Sequence, residues 1–167
     1  MNKETTCCFT GPRPPRLPMN GNEYSAEIAG LKAAIRAAVI DAYEEGFRFF
    51  ISGMAEGFDL FAAEAVLELK SSFGDIALVS ALPYSDVFKH HSPEISKRIE
   101  SVLEKSDIVV SLSEKYIPGC EHLRNKYMVD NSSRIISYYN GLSGGTAHCW
   151  NYAVENCLET VNLYESI

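Results

Sequence analysis

At 167 residues and 18.5 kDa, with 46% hydrophobic and 22% charged side chains, the chain can bury one core covered on both faces, and its composition excludes a disordered or fibrous protein. A formal charge of −7, from 15 basic and 22 acidic residues, speaks against nucleic acid as the default partner. Five cysteines without CxxC spacing and no charged-then-apolar leader predict a reducing cytoplasm, and no apolar run approaches the roughly 20 residues that span a bilayer.

Short β-rich runs recur along the chain: Thr6–Thr10 (TCCFT), 48–52 (RFFIS), 76–82 (IALVSAL), 108–112 (IVVSL), 134–139 (RIISYY) and 160–164 (TVNLY). Several are apolar nearly throughout, the pattern of parallel strands buried on both faces. Helical periodicity fills the spacers. Over 23–45, Ile28, Leu31, Ala34, Ile35, Ala38, Val39 and Ala42 keep to one stripe, and Gly46 follows as a stop. Over 59–71, Phe61, Ala62, Ala65, Val66 and Leu69 repeat the pattern, and helices also fit 94–104, 121–130 and 145–158. Strands alternating with helices of this length predict one domain over 1–167, an α/β fold with a mainly parallel sheet, three-layered and doubly wound.

In such folds the ligand crevice opens beyond the C-terminal strand ends. Three glycine-bearing loops fall there. The first, TGPRPPRLPMNGN at 10–22, holds four of the seven prolines and carries Arg13 and Arg16 on a stiffened backbone. The second, ISGMAEGFD at 51–59, has Gly53 and Gly57 for close backbone approach and Asp59 placed to cap the next helix, whose exposed N–H groups would form an anion site. In the third, Asn140 to Thr146, the chain runs through Gly141, Gly144 and Gly145 into a helix, so successive amides, the Thr146 hydroxyl and the helix dipole suit a phosphate. Neither GxxxxGK[ST] nor GxGxxG is present in these loops, so neither P-loop chemistry nor a standard dinucleotide fingerprint is expected.

Together the loops carry a family resemblance. SGMAEGFDLFAAEAV resembles the signature of the DNA-processing protein DprA, and NGLSGGT resembles the glycine loop of the LOG phosphoribohydrolases; both belong to the SLOG superfamily of Rossmann-like domains. The YpsA-like family within it is similar over nearly the whole chain, through TGPRP at 10–14, SGMAEGFD at 52–59, LPYSDVF at 82–88, YIPGCEHLRNKYMVDNS at 116–132 and YNGLSGGTAHCWNYA at 139–153. The resemblance implies a Rossmann-like sandwich whose pocket takes a nucleotide or nucleotide-derived ligand. Its residues would be Thr10, Gly11, Arg13, Ser52, Gly53, Glu56, Asp59, Arg124, Asn125, Gly144, Gly145 and Thr146. Two departures stand out. Pro12 replaces the His of TGHRP, and Ala147, His148, Cys149 and Trp150 follow Thr146 where the LOG enzymes place a glutamate.

Three functions follow from these residues. The first is binding or sensing of a nucleotide derivative, such as one containing ADP-ribose or a nucleoside monophosphate. Cleavage or transfer at an N-glycosidic bond would use Glu56 or Asp59 as acid or nucleophile. DprA-like binding of single-stranded DNA rests on SGMAEGFD alone and is opposed by the net acidity and the lack of an aromatic–basic stripe. No cofactor or metal is implied; adjacent His90 and His91 point about 100° apart on a helix. A homodimer through an exposed helix is compatible with the fold. Phe58 is a candidate for stacking on a base.

Overall fold

The computed structural model describes residues 1–165, so residues 166 and 167 of the predicted domain lie outside the described residues. The elements run β1 (Thr6–Thr10), α1 (Ala26–Glu44), β2 (Phe49–Ser52), α2 (Phe58–Leu69), β3 (Ala77–Leu82), α3 (Pro93–Lys105), β4 (Ile108–Ser111), α4 (Cys120–Asp130), β5 (Arg134–Ser137), α5 (Gly145–Glu155) and β6 (Glu159–Asn162). Local chemistry sets the helix ends. The Ser25 and Ser92 hydroxyls accept from the amides of Ile28 and Ile95, Pro93 opens α3, and Gly46, at a φ of 104°, lets the chain leave α1.

The six strands form one parallel sheet in the order β4-β3-β2-β1-β5-β6. Alternation along each strand divides the core in two. Cys7, Phe9, Phe50, Leu78, Leu82 and Ile136 face α1, α2 and α3, which contribute Ile28, Leu31, Ile35, Val66, Ile99 and Val102. Cys8, Ile51, Val79, Ala81 and Ile135 face α4 and α5, meeting Met128, Val129, Cys149 and Ala153. The result is the three-layer, doubly wound Rossmann-like fold. Each fully buried Val, Leu, Ile, Phe or Met side chain contributes about 1.5–3 kcal/mol. No helix among the described residues is long and apolar enough to cross a membrane.

One strand departs from expectation. The apolar run at β4 predicts burial on both faces, yet β4 is the sheet edge, and Ile108 and Val109 are substantially exposed. Apolar strand composition does not distinguish a central strand from an edge strand next to a helical layer.

Strand order fixes where a ligand crevice can form. The chain steps outward from β1 to β4, then α4 carries it back to β5 on the other side of β1. The reversal falls between β1 and β5, and the loops after β1, β2 and β5 meet above it, the topological switch point of an open α/β sheet. Phe58, at the start of α2, is fully buried between Gly11 and Tyr138, so it packs the base of these loops and offers no face for stacking.

Gly57 couples two of the loops. Its φ is 100°, and a Cβ there would lie 2.8 Å from the Pro12 carbonyl oxygen and 3.1 Å from Pro14 Cδ. Gly57→Ala therefore combines backbone strain with a clash. It is expected to destabilise the protein by about 2 kcal/mol, a fall in Tm of about 4–8 °C by calorimetry. An unchanged Tm would contradict this seating of the proline-rich loop on α2.

Candidate functional site

The loops enclose a cleft of about 490 Å³, within the range of small-molecule sites. β1 contributes Thr10 and then Gly11, where any Cβ would run into the Phe58 ring. Past Gly11 the proline-stiffened segment forms a short 3-10 turn, Pro14–Arg16, and its two arginines reach opposite walls. Arg13 Nη2 donates to Glu121 Oε1 at 2.9 Å, at the start of α4; Arg16 Nη1 donates to the Ser143 carbonyl at 2.6 Å, just before α5.

The loop after β2 forms the floor. Ser52 Oγ donates to the Asp59 carbonyl at 2.7 Å and accepts from the Met54 amide at 3.1 Å, holding Met54 at a φ of 56°. Arg124 of α4 comes down onto this loop. Its Nη1 donates to the Gly53 carbonyl, its Nε donates to Asn125 Oδ1 at 2.9 Å, and a Cβ on Gly53 would strike the guanidinium. Ser52 and Gly53 thus serve from beneath, and neither lines the cleft.

Asp59 differs from expectation. Gly57 is the N-cap of α2, no side chain caps it, and Asp59 sits in the first helical turn, 4% exposed. Its Oδ2 lies 3.8 Å from Arg124 Nη1, and its Oδ1 has no hydrogen-bond partner of normal geometry. Burial raises its pKa to about 6, against the lowering influence of Arg124, Arg13 and the nearby Ala55 and Gly11 amides. The amides at the start of α2 are also partly spent: Phe58 N donates to Pro12 O at 3.3 Å and Leu60 N to Ala55 O at 3.1 Å. The amides expected to form an anion site there are therefore partly engaged within the protein.

At α5 the first-turn amides are not engaged in this way. Gly144, at a φ of 143°, is the N-cap, and the amides of Gly145 and Thr146 donate to no acceptor among the described residues. These unpaired donors, at the positive end of the helix dipole, face the cleft beside Arg16.

Of the predicted residues, the cleft gathers Thr10, Gly11, Arg13, Asp59, Arg124, Asn125, Gly144, Gly145 and Thr146. Glu56 stands apart. It lines a smaller hollow with Gly57, Phe61, Ile95 and Arg98, and its Oε2 is 3.5 Å from His91 Nδ1. Glu121 and His122 enter the cleft wall unforeseen as ligand-facing groups, although they sit within the 116–132 motif; Arg16 was visible as a cation on the proline-rich loop. The His122 ring is braced edge-on by His148 of α5 at a centroid distance of 4.0 Å. Partial burial, then the His122 ring, lowers the pKa of His148.

The YpsA family model, described as the YspA SLOG family, matches residues 7–164. The chain belongs to the YpsA family of SLOG proteins. Relatives of this YpsA-family chain include the uncharacterized SPbeta prophage-derived protein YoqJ of Bacillus subtilis, 29% identical over 121 residues, covering 65% of this chain and 71% of the relative. The UPF0398 protein BH1768 of Halalkalibacterium halodurans is 28% identical over 115 residues, covering 68% of this chain and 61% of its own. The fold is similar to that of DprA from Streptococcus pneumoniae (TM-score 0.62, 16% identity) and from Helicobacter pylori (TM-score 0.63, 17% identity). Each superposition covers 95% of the YpsA-family chain but only 50% and 64% of the DprA chains.

Asp59 gives a pH signature. Its carboxyl holds a proton more tightly folded (about 6) than at its ordinary 3.8, so the fold is relatively favoured at low pH and loses that advantage as pH rises through this window. Asp59→Asn removes the ionisation. The Tm of the variant minus that of the parent should therefore increase between pH 4 and pH 7, measured by thermal denaturation. A difference that is constant with pH would contradict the burial of an ionisable Asp59.

Proposed function

We propose that the cleft binds a phosphorylated nucleoside derivative. The observation that carries this reading is the pair of unpaired amides at Gly145 and Thr146, beside Arg16 and within the same cleft as Asp59. A phosphoryl group on those amides gains charge-assisted hydrogen bonds, each worth about 1.5–3 kcal/mol. Asp59 would then accept from ribose hydroxyls. Three arginines against two carboxylates make the lining locally cationic in a chain of net charge −7, which favours a small anionic ligand over a long polyanion.

One observation favours a second reading, hydrolysis of the N-glycosidic bond. A buried carboxyl with a pKa near 6 is tuned for proton transfer close to neutral pH, and Asp59 is the only carboxyl of the predicted catalytic pair that lines the cleft. In this reading Asp59 is the acid, and Glu56 belongs to the neighbouring hollow. Binding of single-stranded DNA is what the H. pylori DprA structure describes for that protein. For this chain that reading has only the fold and SGMAEGFD behind it.

A Cβ at Gly145 meets nothing within 4 Å, so the fold tolerates substitution there. Gly145→Asp places a carboxylate among the amides and should weaken AMP or ADP-ribose binding at least about tenfold by calorimetry, with Tm near the parent value. Equal affinity in parent and variant would refute the anion site. Base release from a nucleoside monophosphate, abolished in Asp59→Asn, would support the hydrolytic reading, and intact substrate after long incubation would remove it.

A further inference from the structure

We propose that two copies of this chain join edge to edge through β4 in antiparallel register, so that two six-stranded sheets become one continuous sheet. This interface is independent of what the cleft binds. β4 pairs with β3 from Ile108 to Ser111, and its other side has no strand beside it among the described residues. Backbone N–H and C=O groups on that side form a template for another strand, and edges that stay unpaired are usually blunted by lysine, proline, a bulge or a covering element. The opposite edge carries polar side chains that the protein itself uses: β6 has Glu159, bonded to Arg134, and Asn162, bonded to the Tyr139 backbone. β4 reads IVVS, with neither charge nor proline. Its Ile108 and Val109 are 37% and 49% exposed, and Tyr116 and Ile117, just beyond the strand, are 66% and 43% exposed.

The charges flanking β4 identify its occupant as a second copy. Glu104 and Lys105 precede the strand, and Glu114 and Lys115 follow it; all four are exposed, and none forms an ion pair among the described residues. A two-fold axis between Val109 and Val110 runs the two strands antiparallel, so the start of each meets the end of the other. Lys105 then faces Glu114 of the second copy, Glu104 faces its Lys115, and Val109 meets Val110 at the centre. Parallel pairing would set each of these charges against its own like. The edge is therefore complementary to itself in one orientation. The exposed charges fix that orientation while contributing little affinity, and the apolar centre supplies the attraction. A four-residue ladder alone falls short of the roughly 1,000 Å² of a specific interface, so Tyr116 and Ile117 belong to the contact and the dimer is a micromolar one. Antiparallel pairing also points the C-terminal strand ends of the two copies in opposite directions, and the two clefts open at opposite edges of the joined sheet.

Sedimentation equilibrium on the full chain, from about 1 to about 200 μM, tests this interface. The mass should rise with concentration from 18.5 kDa towards twice that value. Val109→Lys, which puts a charge on a side chain already half exposed, should weaken association at least about tenfold and leave the far-UV circular dichroism spectrum that of the parent. Lys105→Glu sets a like charge against Glu114 twice in each dimer and should weaken association about three- to tenfold, and the charge-swapped double variant, Lys105→Glu with Glu114→Lys, should recover the parent affinity. The swap carries the test should Val109→Lys fail to fold. A monomer at every concentration, or a dimer whose affinity Val109→Lys leaves unchanged, would overturn the β4 contact. A charge swap that recovers nothing would overturn the antiparallel register, and growth past two copies would overturn the two-fold closure.

Discussion

The site depends on one buried cation. Arg124 leaves α4, crosses the top of the sheet and ends against the Gly53 carbonyl, with Asn125 Oδ1 on its Nε and the Asp59 carboxylate 3.8 Å away. It links the helical layer of α4 and α5 to the loop that starts α2 in the opposite layer. A charge so deeply placed is tolerable only when hydrogen-bonded and faced by an opposite charge, and removing one member of such an arrangement typically costs about 3–5 kcal/mol. That demand accounts for several residues at once. Gly53 must lack a side chain, Asp59 must lie beneath the cleft, and Asn125 must turn inward beside the arginine.

Around this anchor the loops divide their labour. The segment after β2 is spent internally: Ser52, Met54, Phe58 and Leu60 have their polar groups bonded within the protein. The first turn of α5 leaves the Gly145 and Thr146 amides without an acceptor among the described residues. The proline-rich loop after β1 bridges them, seated on Gly57 and reaching each wall through an arginine. A net-acidic chain thus presents donors and guanidinium groups where its strand order opens a crevice, and this contrast between global and local charge focuses small anions there.

Much of the fold was legible in the sequence because hydrophobic periodicity reports burial directly. The stripe from Ile28 to Ala42 is α1, and the helices around Phe61, Ile99, Met128 and Cys149 fall where periodicity put them. Strand order was not legible, since a parallel crossover leaves no local signal of which strand lies at the edge, and exposed β4 reads like a central strand. At the site, the α5 turn was visible in its glycines. The role of Asp59 was misjudged because φ at Gly57 sets where α2 begins, moving the cap two residues upstream and turning Asp59 inward. The position of Glu56 was hidden for a related reason: it precedes that turn and faces His91 instead of the cleft. Arg16 and Glu121 acquire roles only through partners more than 100 residues away in sequence.

The central claim is that free backbone amides at the start of α5 hold a negatively charged group. Amide-resolved NMR of the 15N-labelled protein during titration with ADP tests it most directly. The account predicts that Gly145 and Thr146 show the largest downfield proton shifts and gain protection from hydrogen exchange, while the Phe58 and Leu60 amides, already bonded within the protein, stay in place. Titration that leaves the Gly145 and Thr146 resonances unmoved, or that perturbs only residues outside the cleft, would contradict it.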